Sequence, residues 1–169
     1  ALGSVNWYLK RCINKGFIKI REVPLRRYMY YLTPQGFDEK SRLMGEYLRW
    51  SLDLFRLGRE ESTEILNRCA VRGQHHIVLA GDGDLAEIFI LSSVETPVLI
   101  QAIYDPVAGN GKRLRVPVIS KRSDVESFFD KKTDPVFILT ALTDPQGMWD
   151  DLLAGGASPE SVIIPSFLS

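Results

Sequence analysis

The chain has 169 residues, of which 45% are hydrophobic, and 21 Lys and Arg are balanced by 21 Asp and Glu. This length and composition exclude a disordered or low-complexity chain and favour one large or two small globular domains. No run of about 18 apolar residues and no signal-like stretch is present, so we expect no membrane span and a cytoplasmic location. Cys12 and Cys69 lie far apart and outside any metal-like spacing, which favours reduced thiols and no metal site.

The balanced charge conceals a division along the chain. Residues 1–60 hold 12 Lys and Arg against 6 Asp and Glu, and the remaining residues hold 9 against 15. Such asymmetry is typical of a protein in which one part meets a polyanion and another part does not.

The first two predicted elements are a helix and a hairpin. Val5, Leu9 and Cys12 stand at positions i, i+4 and i+7, which predicts a helix that ends at Gly16. In residues 17–23 and 27–33, apolar or aromatic side chains alternate with other residues, and Pro24 lies between the two segments. This pattern predicts two strands joined by a short turn, as in the wing of a DNA-binding domain.

A long helix is predicted next, with Thr33 as its N-cap and Pro34 at its first position. Apolar residues recur along it with alternating spacings of 4 and 3, at Leu43, Tyr47, Trp50, Leu54 and Leu57. A second apolar stripe runs beside this heptad-like seam, at Met44, Leu48, Leu52 and Phe55. The pattern favours a homodimer through residues 43–57, and the alternative is one wide stripe buried within a single monomer.

From Gly73 onward the pattern changes to short buried strands that alternate with helices. Strands are predicted within HHIVLAG, VLIQAIYD, VPVIS, PVFILTAL and SVIIP, and helices near residues 84–94, 123–130 and 146–154. Such alternation predicts an α/β fold with a Rossmann-like, mostly parallel sheet and helices on both faces. We therefore expect a linker or dimerisation helix over residues 37–72 and a nucleotide-binding domain over residues 73–169.

The basic part of the chain carries candidate DNA contacts. A helix with Asn and cationic residues on one face fits the major groove, and cations on a wing can neutralise phosphates. The candidate contacts are Ser4, Asn6, Trp7, Lys10 and Arg11 on the helix and Lys19, Arg21, Arg26 and Arg27 on the wing. The alternative is a solvated charged hairpin, but the charge division favours double-stranded DNA as a partner.

Two segments of this part, LGSVNWYLKRCINKGFIK and YYLTPQGFDEKSRL, carry a family resemblance. They resemble the last helix, the wing and the following helix of winged helix-turn-helix transcriptional regulators, particularly MarR-type regulators associated with exopolysaccharide genes. The resemblance implies that residues 1–36 are the C-terminal part of a winged-helix DNA-binding domain. Such domains carry two further helices before the recognition helix, whereas residue 1 already lies beside it. The chain is therefore expected to be N-terminally truncated, and DNA binding is expected of its full-length parent.

The segment HHIVLAGDGDLAEIF predicts a strand, a tight turn and a helix in the pattern G-x-G-x-x-A. In this pattern the first glycine permits the turn, the second lets a phosphate approach the backbone, and Ala86 lets the helix and strand pack closely. The helix N-terminus would face a pyrophosphate, and an acidic residue at the end of the next strand would hold a ribose. The candidate ligand contacts are Gly81, Asp82, Gly83, Asp84, Leu85, Asp105 and Thr140.

Other residues limit what this segment implies. Asp82 and Asp84 would repel a phosphate, so the alternative is a tight βα turn that binds no nucleotide. His75 and His76 enter the first strand at its amino end, opposite the edge where open α/β sheets bind ligands. Neither is placed as a base, and no Cys/His or Ser/His/Asp set converges in the sequence, so no catalytic residue is predicted.

The segment AIYDPVAGNGKRLRVPVIS, followed by a helix, carries a second resemblance. It resembles the nucleotide-binding domain of the Rex family of redox-sensing repressors and the N-terminal Rossmann-like domain of sugar O-acyltransferases, which implies NAD(H) or a nucleotide sugar as the ligand. We therefore expect a non-enzymatic transcription regulator that senses a nucleotide-type metabolite. The alternatives are an NAD(P)- or nucleotide-sugar-dependent enzyme or subunit of polysaccharide biosynthesis, and a domain that serves only as an interaction module.

Overall fold

The computed structural model describes residues 2–24, 27–129 and 135–168, and the chain divides into two compact units between Asp53 and Leu54. The first unit combines a helix, a β-hairpin and the first part of a long helix. The second unit is a mostly parallel sheet flanked by helices. The predicted α/β class is therefore confirmed. None of the described helices is long and apolar enough to cross a membrane.

The first unit contains α1 (Leu2–Asn14), β1 (Ile18–Val23) and β2 (Arg27–Leu32), followed by the start of α2 (Pro34–Val71). Gly16 ends α1 with a φ of 75°, a conformation that favours glycine. Thr33 begins α2: its Oγ1 accepts a hydrogen bond from the Gly36 N–H at 3.0 Å and donates one to the Gly16 carbonyl at 2.6 Å. This buried threonine therefore ties the end of α1 to the beginning of α2.

The second unit is built on a six-stranded sheet with the strand order β5-β6-β4-β3-β7-β8. Every neighbouring pair is parallel except β5 and β6, which form an antiparallel hairpin. Without β5, the order is that of doubly wound dinucleotide-binding sheets, and the order reverses between β3 and β7. The elements are β3 (His76–Ala80), α3 (Asp84–Ser93), β4 (Leu99–Tyr104), β5 (Gly111–Arg113), β6 (Val116–Ile119), α4 (Arg122–Val125), β7 (Val136–Leu139), α5 (Pro145–Ala154) and β8 (Val162–Ile163).

The central strand β3 sends alternate side chains into two separate cores. Ile77 and Leu79 pack into a core covered by α3 and the end of α2, whereas Val78 and Ala80 pack into a core covered by α4 and α5. Helices therefore lie on both faces of the sheet, as the alternation of strands and helices predicts.

The last turns of α2 belong to this second unit. Ile65, Leu66 and Cys69 are at most 1% exposed and lie in the same core as α3. Burial raises the pKa of the Cys69 thiol, which is consistent with its place in the core. The compact unit thus begins at Leu54, and the apolar residues at the end of α2 cover the sheet.

Candidate functional site

The hairpin in the first unit has one apolar face. The antiparallel register sets Ile18 opposite Leu32 and Ile20 opposite Tyr30, and residues that are directly opposite share a face. We call these four side chains the apolar face. Ile20, Tyr30 and Leu32 are each close to half exposed, so this face has little cover in the single chain.

The other face of the hairpin is cationic. Lys19 lies opposite Tyr31, Arg21 opposite Met29, and Arg27 opposite Val23. We call Lys19, Arg21 and Arg27 the basic face; all three are exposed, and none forms an ion pair with a described residue. The register therefore brings together three of the four predicted wing contacts. Arg26, the fourth, lies outside the described residues.

The predicted contacts of α1 also share one side of their element. Ser4, Trp7 and Arg11 are spaced by 3 and 4 residues, and Asn6 and Lys10 form a neighbouring line with a spacing of 4. All five are exposed. The Arg11 guanidinium lies 5.4 Å from the centroid of the Trp7 ring, within the range of a cation–π contact. The helix thus exposes these five side chains, and its opposite side carries Leu9 and Cys12, which are partly buried.

The long helix α2 carries a nearly continuous apolar surface. The five residues of the heptad-like seam, Leu43, Tyr47, Trp50, Leu54 and Leu57, are between 48% and 62% exposed. The second stripe, Met44, Leu48, Leu52 and Phe55, is exposed to a similar degree. Among the described residues of the first unit, only Thr33 and Gly36 are buried, and its apolar side chains are partly buried at most. A contiguous exposed apolar surface of this kind is typical of an interaction surface.

In the second unit, the tight turn after β3 lies at the point where the strand order reverses. Gly81 has a φ of 114°, and a Cβ at this position would stand 2.5 Å from the Ala141 nitrogen. Its N–H donates to the Tyr104 carbonyl at 2.8 Å. Only glycine fits here, because any side chain would meet the backbone that follows β7. By contrast, a Cβ on Gly83 would meet no atom within 4 Å, and its backbone is extended.

Asp105 joins this turn to the end of β4. Its carboxylate accepts hydrogen bonds from the backbone N–H groups of Asp82 at 2.9 Å, Val107 at 2.9 Å and Ala108 at 3.0 Å. A carboxylate offers about four acceptor positions, so about three of them are already used by the backbone. The Asp105 carboxylate therefore lies at the glycine-rich turn and holds the backbone of this turn and of the segment after β4 in place.

Arg113 of β5 reaches the same turn. Its guanidinium forms an ion pair with Asp82 through two nitrogens, with Nη2 3.2 Å from Oδ2, and its Nη1 lies 2.5 Å from Glu87 Oε1. Hydrogen bonds to Asp82 and then Glu87 raise the pKa of the Arg113 guanidinium. Asp84 adds a further exposed carboxylate in the first turn of α3. Asp82 and Glu87 thus share the Arg113 guanidinium, whereas neither Asp84 nor Asp105 forms an ion pair with a described residue.

Two of the predicted ligand contacts lie in the interior. Thr140 is 1% exposed, and its hydroxyl donates to the Gly81 carbonyl at 2.7 Å. Leu85 is 3% exposed and packs in the core beneath α3. Thr140 therefore supports the turn from the end of β7, and its hydroxyl is not directed to a ligand at the surface. Leu85 can contribute only its backbone N–H.

The remaining candidates for chemistry lie apart from this turn. His75 and His76 are exposed at the amino end of β3, where His76 Nδ1 lies 2.6 Å from Gln101 Nε2. Within the part of the chain that the structure describes, no group of three or more His, Cys, Asp or Glu residues could hold a metal ion. Tyr104 is 3% exposed, and its hydroxyl donates to Asp151 Oδ2 at 2.5 Å.

The sequence pattern did not reveal the part played by Arg113 and Glu87. The only signal is a cluster of cations at Lys112, Arg113 and Arg115, which follows Asp105 in the sequence. No protein-family model, curated protein or solved structure matches this chain.

Proposed function

We propose that the protein is a DNA-binding transcription regulator that acts as a homodimer and senses a nucleotide-type metabolite through its α/β unit. The observation that carries the proposal is the basic face of the hairpin. The register separates Lys19, Arg21 and Arg27 from the apolar face, so that one side of the ribbon suits protein packing and the other suits a polyanion.

The surface of α1 supports the same partner. A helix with Asn, Lys and Arg side chains on one side can contact base edges in the major groove, while cations of a neighbouring ribbon contact phosphates. Asn6, Lys10 and Arg11 are exposed and lie on adjoining lines of α1. Because the Thr33 hydroxyl bonds both to the Gly16 carbonyl and to the first turn of α2, it ties the end of α1 to the beginning of α2.

The apolar surface of α2 supports the homodimer. Residues spaced by 4 and 3 form the seam of a coiled coil when a second helix covers them. Trp50 lies at the middle of this seam and is 62% exposed in the single chain. Large aromatic side chains at the centre of an interface contribute much of its binding free energy, so Trp50 is the proposed anchor.

The α/β unit is the proposed sensor, and its ligand is NAD(H) or a nucleotide sugar. Open α/β sheets bind ligands at the carboxyl ends of the strands where the strand order reverses, which is the location of the Gly81 turn. The open space above Gly83 and the free backbone amides of the first turn of α3 support a phosphate there. Asp105 lies beside the turn, where one acceptor position remains for a ribose hydroxyl.

The DNA-binding part of the proposal is tested with a labelled duplex of mixed sequence and fluorescence anisotropy. We expect Arg21→Ala/Arg27→Ala to weaken binding about tenfold or more at low salt, because both substitutions remove cations from the basic face. The matched control is Lys112→Ala/Lys121→Ala, which removes the same charge from exposed positions of the α/β unit. Equal affinities of the two double variants would reject the basic face as a DNA contact.

A further inference from the structure

Arg113 connects two segments that are distant in the sequence. It lies on the β5–β6 hairpin, whose turn contains Leu114 and Arg115 at positive φ values of 47° and 76°. From there its guanidinium contacts Asp82 in the glycine-rich turn and Glu87 in the first turns of α3. The contact thus fixes β5 against the part of the molecule where we place the ligand.

The two carboxylates hold this guanidinium unequally. Asp82 uses both of its oxygens and has an 18% exposed side chain, whereas Glu87 uses one oxygen and is 40% exposed. Arg113 itself is 30% exposed, so its ion pairs are partly shielded from water. A two-oxygen contact to a guanidinium is the stronger arrangement, so Glu87 is the partner that an incoming anion displaces more readily.

We propose that these ion pairs form an autoinhibitory latch: while Asp82 and Glu87 hold Arg113, a phosphate-bearing ligand has to compete with them for the guanidinium. The proposal rests on the sensor function proposed above and adds its regulation. Phosphate binds a guanidinium with the same two-point geometry as a carboxylate, so exchange of partners is chemically straightforward. Release of Glu87 from Arg113 is then linked to ligand binding, and any change that strengthens the ion pairs of Arg113 lowers the affinity for the ligand.

The test uses inorganic pyrophosphate as the probe and calorimetry as the measurement. Glu87→Gln and Asp84→Asn each remove one negative charge from the beginning of α3, but only Glu87 contacts Arg113. We expect Glu87→Gln to strengthen pyrophosphate binding about tenfold more than Asp84→Asn does. In the Arg113→Gln background the two substitutions should have equal effects, because the guanidinium that distinguishes them is gone.

Equal effects of Glu87→Gln and Asp84→Asn in the presence of Arg113 would overturn the latch, since net charge alone would explain them. Failure of Glu87→Gln to bind pyrophosphate at all would also overturn it. Thermal unfolding of each variant establishes that the α/β unit is folded before the titrations are compared.

Hydrogen exchange tests the latch without any ligand. Arg113→Gln should increase amide exchange in residues 111–113, whereas Lys112→Gln, on the same strand, should leave it unchanged. Unchanged exchange in Arg113→Gln would overturn the latch. Titration of the wild type with NADH and a uridine-diphosphate sugar separates the two proposals. If a nucleotide binds but the Arg113 variants give none of the expected changes, the latch is rejected and the sensor function stands. If those changes occur but no nucleotide binds, the sensor function is rejected.

Discussion

Replacement of Gly81 by Ala is the substitution whose effect the structure defines best. The new Cβ would stand 2.5 Å from the Ala141 nitrogen, 2.6 Å from its Cα and 2.7 Å from its Cβ, and the backbone would keep a φ of 114°. A side chain in such a sparsely populated conformation costs about 1–3 kcal/mol. Relief of the clash requires movement of the segment after β7.

That segment is tied to the end of β3. The N–H groups of Thr140 and Ala141 both donate to the Ala80 carbonyl, at 2.8 and 3.0 Å. Loss of one buried hydrogen bond costs about 1 kcal/mol, so we expect Gly81→Ala to lower the free energy of unfolding by about 3 kcal/mol in total. With about 3 °C of Tm per kcal/mol for a protein of this size, the Tm should fall by about 10 °C.

Gly83→Ala is the matched control for this measurement. It places the same methyl group two residues away, where no atom lies within 4 Å and the backbone is extended. We expect its free energy of unfolding to differ from the wild type by less than about 0.5 kcal/mol. Urea unfolding followed by circular dichroism compares the two variants. A Gly81→Ala protein as stable as Gly83→Ala would refute the reasoning about the turn.

Three further substitutions test other parts of the molecule. Trp50→Glu should give monomers by light scattering, whereas Val94→Glu, at another exposed apolar position, should leave the dimer intact. A wild type that is monomeric at high concentration would refute the homodimer through the seam of α2. Gly83→Val should abolish calorimetric binding of NADH or of a uridine-diphosphate sugar while leaving the Tm unchanged, and undiminished binding would exclude a phosphate over this turn. Burial and the hydrogen bond to Asp151 raise the pKa of Tyr104 to about 12, so its contribution to stability should be complete below pH 10 and decrease as the pH rises toward 12. Tyr104→Phe should lower the free energy of unfolding by about 1.5 kcal/mol at pH 8 and remove that alkaline dependence, and an unchanged pH profile would contradict the assignment.

Much of the fold follows from local signals in the sequence. Alternating side chains predict β1 and β2, and the Thr33-Pro34 pair predicts the beginning of α2, where Thr33 caps the helix. The apolar runs after Gly73 predict the parallel strands because strands covered on both faces contain few polar residues. Each of these patterns involves only a few neighbouring residues, so it can be recognised without knowledge of the tertiary structure.

The contacts of Arg113 could not be predicted in this way. Asp82 and Glu87 lie 31 and 26 residues from it in the sequence. Their meeting depends on the β5–β6 hairpin, in whose turn Leu114 and Arg115 adopt positive φ values that their residue types do not favour. Sequence pattern therefore gives the glycine-rich turn and Asp105 but not the cation that pairs with the turn.

Two other features of the structure also depend on tertiary contacts that the local sequence does not encode. The sequence pattern of an apolar stripe on α2 is the same whether the stripe covers a sheet or packs against a second copy of the chain. Ile65 and Leu66 cover the sheet, and we propose that Trp50 packs against a second copy. The sequence also does not distinguish a strand-end threonine whose hydroxyl faces a ligand from one whose hydroxyl donates to a carbonyl. The structure places Thr140 against Gly81, a choice that depends on the positions of neighbouring strands.

The salt dependence of DNA binding tests the central proposal most directly. Fluorescence anisotropy titrations with one mixed-sequence duplex at several salt concentrations give the slope of log K against log salt concentration. We expect a steep negative slope for the wild type and for Lys112→Ala/Lys121→Ala, and a slope smaller in magnitude by about 1.8 for Arg21→Ala/Arg27→Ala, because two phosphate contacts are lost. Binding that does not change with salt, or the same slope in all three proteins, would contradict the proposal that the basic face lies on DNA.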